Sequence, residues 1–484
     1  MTVSQQKSSP KSAAAHWSSA FTQPIQEFPL TPLRVISGQV PAGLRGSLYR
    51  NGPSLFERQG ERITHWFDGD GAVLGVHFDG EAAQGAYRRV QTAGYLAEEK
   101  AGAFRFSGFG RRATPFWRRS QGESSLSPKN AANTSVLALE DRLLALWEGG
   151  LPHALDLQTL ETIGMDDLQG LEASQTFSAH PKVDPQTGEI YNFGIQPGRQ
   201  SLLNLYHCDR RGKLLRQNKI PLQGTPLVHD FVLAGPYLVF FISPVYLEVL
   251  PLLLGWQGYS EALRWQPKRG TQVMVINRET LELLQQREVD PWFQWHFGNS
   301  FVDADGQIVV DVVRYADFQT NQFLKEVPSG QPKTDAPGTL WRLRVNPQTA
   351  EVAEAHRLHD RICEFPVVSP AAAGSPGRYT FLSTHSDHNR TTDLFDAIAC
   401  FDHTQDTLTL ANLGTQRYPS EPIFAPNPHQ PHQGWVLTII YDAQHHASEV
   451  WVYESHRLGD EPVCRLALPG AIAVSFHGTW RPAI

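Results

Sequence analysis

The sequence predicts an all-β fold: a seven-bladed β-propeller whose long loops and short helices form a dome over one face. Three observations carry that expectation. Helical periodicity is scarce, a hairpin signal recurs over several hundred residues, and four histidines stand too far apart to meet on most other folds. Apolar runs alternate with turn chemistry at Asp184-Pro185-Gln186-Thr187-Gly188, Asp209-Arg210-Arg211-Gly212, Asp303-Ala304-Asp305-Gly306, Asn346-Pro347-Gln348-Thr349 and Asp402-His403-Thr404-Gln405. Each joins two apolar runs, such as 300–302 and 308–313, as a hairpin does.

With 39 Gly and 34 Pro, this repetition indicates a sandwich, barrel or propeller. No strict internal repeat marks a WD-type array. The propeller is preferred because 484 residues suit about seven four-stranded blades plus long loops. It also has a central axis onto which each inner strand can project a side chain. Stretches 104–129, 243–270, 315–338 and 384–393 read as insertions capping one face. A loose Ser/Gln/Ala-rich tail is expected over 1–20, followed by a single domain over 21–484.

The bulk numbers exclude several function classes. A net charge of -7 offers no basic field for nucleic acid. Cys208, Cys363, Cys400 and Cys464 are widely spaced, without the pairing of a disulfide framework or thiolate zinc site, which fits a cytoplasmic location. No run reaches the ~18 apolar residues of a spanning helix. The nearest, 245–256, is a buried loop or short core helix on one reading. On the other it is an exposed patch dipping into one membrane leaflet, flanked by the interface-type aromatics Trp256, Tyr259 and Trp265.

Four histidines sit in apolar, aromatic settings: His180 after Phe177, His229 before Phe231, His296 between Trp295 and Phe297, and His477 after Phe476. Among 19 histidines, a buried one is ordinarily a hydrogen-bonded core residue. Four at one point would instead suit Fe, Zn, Cu or Ni, not Mg or Ca. His385, His388, His429, His432, His445 and His446 lie in polar stretches and read as surface. Glu148, Glu364 and Glu421 stand in apolar contexts where an unpaired charge is costly. Each could pair with an arginine or cap a turn. As orienters of ligating histidines they form the more economical design.

Nine motifs in order then carry a resemblance. They are Leu48-Tyr49-Arg50-Asn51-Gly52-Pro53, His65-Trp66-Phe67-Asp68-Gly69-Asp70-Gly71, Asn130-Ala131-Ala132-Asn133-Thr134, Leu143-Leu144-Ala145-Leu146-Trp147-Glu148-Gly149-Gly150, Ala179-His180-Pro181, Val228-His229-Asp230-Phe231, Glu364-Phe365-Pro366, Glu421-Pro422 and Phe476-His477-Gly478. Across about 33–480 the chain resembles the carotenoid cleavage oxygenases, most closely the microbial apocarotenoid-cleaving members.

The resemblance implies one non-haem Fe(II) per chain on the propeller axis, with O₂ as co-substrate. It implies His180, His229, His296 and His477 as ligands, with Glu148, Glu364 and Glu421 orienting three of them. Thr134 would crowd one vacant coordination site. Phe67, Trp147, Trp295 and Phe365 would line a tunnel for an apolar polyene, cut at the 15,15′ bond to give retinal. Phe297 and Lys182 stand where many relatives carry histidine. A cytoplasmic monomer in peripheral contact with a membrane is expected. The rivals are a stilbene-cleaving enzyme on the same fold and a non-catalytic propeller scaffold. A lactonase-like hydrolase would hold Ca²⁺ through oxygens and would not need four histidines.

Overall fold

The computed structural model describes residues 15–112 and 128–483. Its antiparallel strands group into seven meanders around one axis, the propeller that the turn pattern predicts. In the second, Ser135–Ala138, Leu143–Leu146, His153–Leu155 and Thr162–Met165 follow one another outward from the centre, and the third, fourth and fifth repeat that order. The long strand Glu351–Val367 serves two blades. Residues 351–362 pair with Thr339–Asn346, and 363–367 with Tyr379–Thr384.

The ring is closed by exchange between the two ends of the chain. Gly478–Pro482 adds to Arg45–Pro53 inside the first blade, with Tyr49 opposite Thr479. Arg34–Gly38 adds to Cys464–Ala467 at the rim of the last, with Val35 opposite Leu466. These long-range ladders join the two ends of the chain at the seam.

The five turns share one device. The leading Asp or Asn accepts a backbone N–H two residues on: Asp184 from Gln186 at 2.8 Å, Asp209 from Arg211 at 2.9 Å, Asp303 from Asp305 at 3.0 Å, Asn346 from Gln348 at 2.8 Å and Asp402 from Thr404 at 2.9 Å. Gly188, Gly212 and Gly306 then take the left-handed conformation, at φ 73°, 83° and 75°.

Insertions build the dome over one face. Residues 243–270 form a two-stranded ribbon, Val245–Leu247 with Leu263–Trp265, and the short helices Val249–Leu253 and Tyr259–Ala262. Gln319–Glu326 supplies another helix. Of the 104–129 insertion, 113–127 lie outside the described residues.

Two expectations need correction. Residues 1–14 of the expected tail are not among those described, but from Ala15 onward the chain is packed, not loose. Trp17 is 0% exposed and Phe21 3%. Phe21 meets the Trp66 ring at 5.3 Å, and Trp66 meets Phe476 at 4.9 Å. Two aromatics one helical turn apart bury enough apolar area to dock this short segment. Second, His385 is 2% exposed and not a surface residue, although His388, His429 and His445 are exposed as expected. Thr384 pairs with Cys363 in the sheet, and this ladder carries the next residue inward despite its polar neighbours.

Candidate metal centre

Every blade delivers one residue to the axis. His477 precedes the innermost strand of the first blade, His180 that of the third and His229 that of the fourth, while His296 lies within the fifth's. Glu148 follows Leu143–Leu146 in the second blade, Glu364 lies in the strand entering the sixth, and Glu421 sits between Arg417–Pro419 and Ile423–Asn427 in the seventh. All four imidazoles are buried. One nitrogen from each falls in a group whose members lie within 4.8 Å of one another.

The glutamates settle which nitrogens those are. Glu364 Oε2 accepts from His296 Nδ1 at 2.6 Å, and Glu421 Oε1 from His477 Nδ1 at 3.0 Å. Glu148 Oε1 contacts His229 Nδ1. With Nδ1 serving as donor, each Nε2 carries a lone pair toward the axis. His180 has no glutamate, and its Nε2 is buried without a partner among the described residues.

The carboxylates are themselves held. Glu364 accepts from the Tyr315 hydroxyl at 2.9 Å and the Phe365 N–H at 2.7 Å, and Glu421 from the Gly478 N–H at 2.8 Å. Burial pushes the Glu364 carboxyl up to about 7. Burial also raises Glu421, but His477 and Arg50 outweigh it and leave it below the usual range. Burial, reinforced by neighbouring imidazoles, drives His180 and His296 well below the ordinary histidine value. At His229 burial acts the same way, yet Glu148 overcomes it and the pKa rises.

Sequence reading assigned no role to four residues around this set. Arg50, 1% exposed, donates to Ser475 Oγ at 2.9 Å, to the Glu421 carbonyl at 2.7 Å and to the Phe476 carbonyl at 2.8 Å. Arg45–Pro53 holds two arginines among small and polar residues, so its sequence gave no local signal. Tyr315, ending the almost wholly buried strand Ile308–Tyr315, gave none either. Lys182 is explained by Asp230: its Nζ lies 2.7 Å from Asp230 Oδ1, which also accepts the Phe231 N–H at 2.8 Å. Asp230 Oδ2 takes the Phe297 N–H at 3.2 Å, so one carboxylate ties together the backbone beside two of the imidazoles.

A cavity opens on the dome side of the cluster. His229, His296 and His477 face it, as do Glu148 and Glu364, whereas His180 and Glu421 do not. Phe67, Trp147, Trp295, Phe365 and Thr134 all line it. Trp295 meets the His229 ring edge-on at 4.7 Å, and Phe365 stacks on His296 at 5.3 Å. Phe365 takes φ 56°, a left-handed conformation unusual for so bulky a residue and typical of side chains held for a purpose.

Sequence motifs in and beside the first blade shape this wall. Asn51 donates to the Ala132 and Ser135 carbonyls at 2.8 and 2.9 Å, and Asn133 to those of Phe67 and Gly69 at 2.8 and 2.7 Å. Gly71 lies so close that a Cβ there would sit 2.0 Å from the Ala132 oxygen. Thr134 is fixed between these clamps, its hydroxyl 3.2 Å from Asn133 Oδ1.

Known proteins share this arrangement over almost the whole chain. The family described as retinal pigment epithelial membrane protein matches residues 21–482. The chain is 35% identical over 456 residues to the apocarotenoid-15,15′-oxygenase of Synechocystis sp., covering 92% of each. It is 26% identical over 491 residues to resveratrol cleavage oxygenase 1 of Aspergillus fumigatus, covering 96% of this chain and 94% of that one. The crystal structure of cobalt-substituted Synechocystis ACO superposes with a TM-score of 0.87 at 32% identity, covering 97% of this chain and 98% of that one.

Proposed function

The chain belongs to the retinal pigment epithelial membrane protein family, the carotenoid oxygenases, and on that premise we propose that it is a non-haem Fe(II) dioxygenase. Its substrate is a carotenoid or apocarotenoid, cleaved by O₂ at the central 15,15′ double bond to give retinal.

One observation carries the metal. His229 Nε2 and His296 Nε2 lie 3.2 Å apart, and glutamates occupy both Nδ1 positions. Two lone pairs at that distance repel unless a proton or a metal ion lies between them, and the convergence of four such rings favours the metal. The burial of His180 Nε2 and the convergence of all four rings favour one ion held by His180, His229, His296 and His477. Imidazole donors without a carboxylate in the set suit Fe, Zn, Cu or Ni on softness grounds, and the oxygenase relatives favour iron among them. When bound, Fe(II) with open coordination supplies O₂ activation, chemistry the protein side chains lack.

The chain's own residues do the rest. Glu148, Glu364 and Glu421 hold three ring tautomers and orientations. The aromatic wall excludes water and fits a rigid polyene, so the double bond beside the imidazoles is the one exposed to oxygen. Thr134, pinned at its hydroxyl, narrows the same space. Both oxygen atoms leave in two carbonyl products, one on each former alkene carbon.

All seven axial residues come from one chain, so a monomer suffices. Four free, buried cysteines fit the cytoplasm. No described helix is long and apolar enough to cross a membrane. Val249, Leu250 and Trp256, 43%, 65% and 62% exposed, support peripheral contact with one leaflet, from which an apolar substrate could enter. A stilbene remains the second reading, favoured by polar His385 and Asp393 on the cavity wall.

The test is metal content by mass spectrometry together with aerobic turnover of an apocarotenal with product masses resolved. One iron per chain and retinal among the products is the expected result. Iron with stilbene cleavage only would redirect the assignment, and no metal or turnover after Fe(II) reconstitution would leave a binding scaffold. Glu364→Gln, which weakens the acceptor for His296 Nδ1–H, should lower iron affinity by roughly 10–100-fold in a competitive chelator titration.

A further inference from the structure

We propose that His385 forms a polar subsite that binds the oxygen-bearing end of the polyene, a hydroxyl or a carbonyl, an inference that rests on the function proposed above. Ser383 is the sheet partner of Glu364, and His385 lies two residues further along the same edge. At ~3.4 Å per residue this places it ~7 Å along the cavity wall from the glutamate that holds His296. A substrate whose scissile bond lies at the imidazoles would therefore pass His385 with a part remote from that bond.

The residue is built in. Its carbonyl accepts from Arg361 Nη1 at 2.7 Å, and its ring lies 4.9 Å from the Phe395 ring. The following residue, Ser386, is clamped by Asp396 through its N–H at 2.7 Å and its hydroxyl at 2.8 Å. His385 lines the cavity and is 2% exposed, yet its Nδ1 meets no hydrogen-bond partner among the described residues. Burial holds its pKa at about 4, so the ring is neutral and can donate from one nitrogen and accept at the other.

A buried polar atom left without a partner is costly, and a ligand oxygen would remove that cost. Among other polar groups on the wall, Tyr315 is engaged with Glu364, Thr320 with the Trp295 N–H and Thr391 with Asp335. The indole N–H of Trp66 also lacks a partner but can only donate, whereas a neutral imidazole can donate or accept. Leu394 and Phe395 line the cavity beside His385, so a hydrocarbon end would fill the space and leave Nδ1 dry.

The test is anaerobic binding to the iron-loaded protein, read by quenching of cavity tryptophan fluorescence. The probes are three all-trans polyenes of one chain length: a hydrocarbon, one ending in an aldehyde and one with a hydroxylated terminal ring. In the wild type at least one oxygenated probe should bind roughly 3- to 10-fold more tightly than the hydrocarbon, and which one identifies the bound end. His385→Phe, which keeps an aromatic ring, should erase that preference while hydrocarbon affinity and iron content stay unchanged. His385→Gln should retain part of it. Equal affinities in the wild type, or a preference that survives in His385→Phe, would overturn the subsite. A preference without any polyene cleavage would overturn the dioxygenase reading and leave the subsite standing.

Discussion

A His477→Ala variant is expected to purify without iron and without turnover, while His388→Ala keeps both. The loss exceeds one ligand out of four. His477 Nδ1 is the donor that Glu421 Oε1 receives at 3.0 Å, so its removal strands a buried carboxylate against Arg50, 3.8 Å away. That carboxylate no longer has its imidazole, and the three remaining rings no longer enclose the axis. His388 is exposed, its Nε2 3.8 Å from Asp360, and it takes no part in the cluster. Metal analysis of both proteins after equal Fe(II) loading decides the matter. Full occupancy in His477→Ala would remove this histidine from the ligand set.

Arg50→Ala should lower the free energy of unfolding by roughly 3–5 kcal/mol, the usual consequence of breaking a buried ion pair from one side. The guanidinium is the common holder of three segments: Arg45–Pro53, the Glu421 turn and the Ser475-Phe476 approach to His477. Burial lowers its pKa to about 10, with Glu421 acting in the opposite direction, so it is charged at neutral pH. Arg50→Lys restores the charge but not the fork of donors, and should recover only part of the loss. Denaturant midpoints with equal slopes give the measurement. A change below about 1 kcal/mol would mean that the contacts are incidental.

The axial set was legible chiefly through the motifs that carry the family resemblance, because the apolar settings of its histidines and glutamates hint at burial but are interrupted by polar neighbours such as Asp230 and Ser420. The hairpins were legible because Asp184, Asp209 and Asp303 act within a few residues of themselves. Arg50 escaped notice because its three acceptors lie about 370 and 425 residues away, which no local pattern encodes. Ring closure escaped for the same reason: nothing near Tyr49 announces Thr479. His385 was misread because Ser386, Asp387 and His388 around it are exposed, and only its ladder position turns it inward. The packing of 15–22 had a signal in Trp17 and Phe21, outweighed there by polar composition.

The seam between first and last blades also fixes when the centre can exist. An elongating chain that has folded its middle blades already carries His180, His229 and His296, but the fourth imidazole arrives only with the strand that locks the ring. On the proposed function, full affinity for the metal ion is therefore conditional on closure, and a truncated chain with an open ring is expected to lack the fourth ligand. Closure of the propeller and completion of its centre rest on the same hydrogen-bonded pairing.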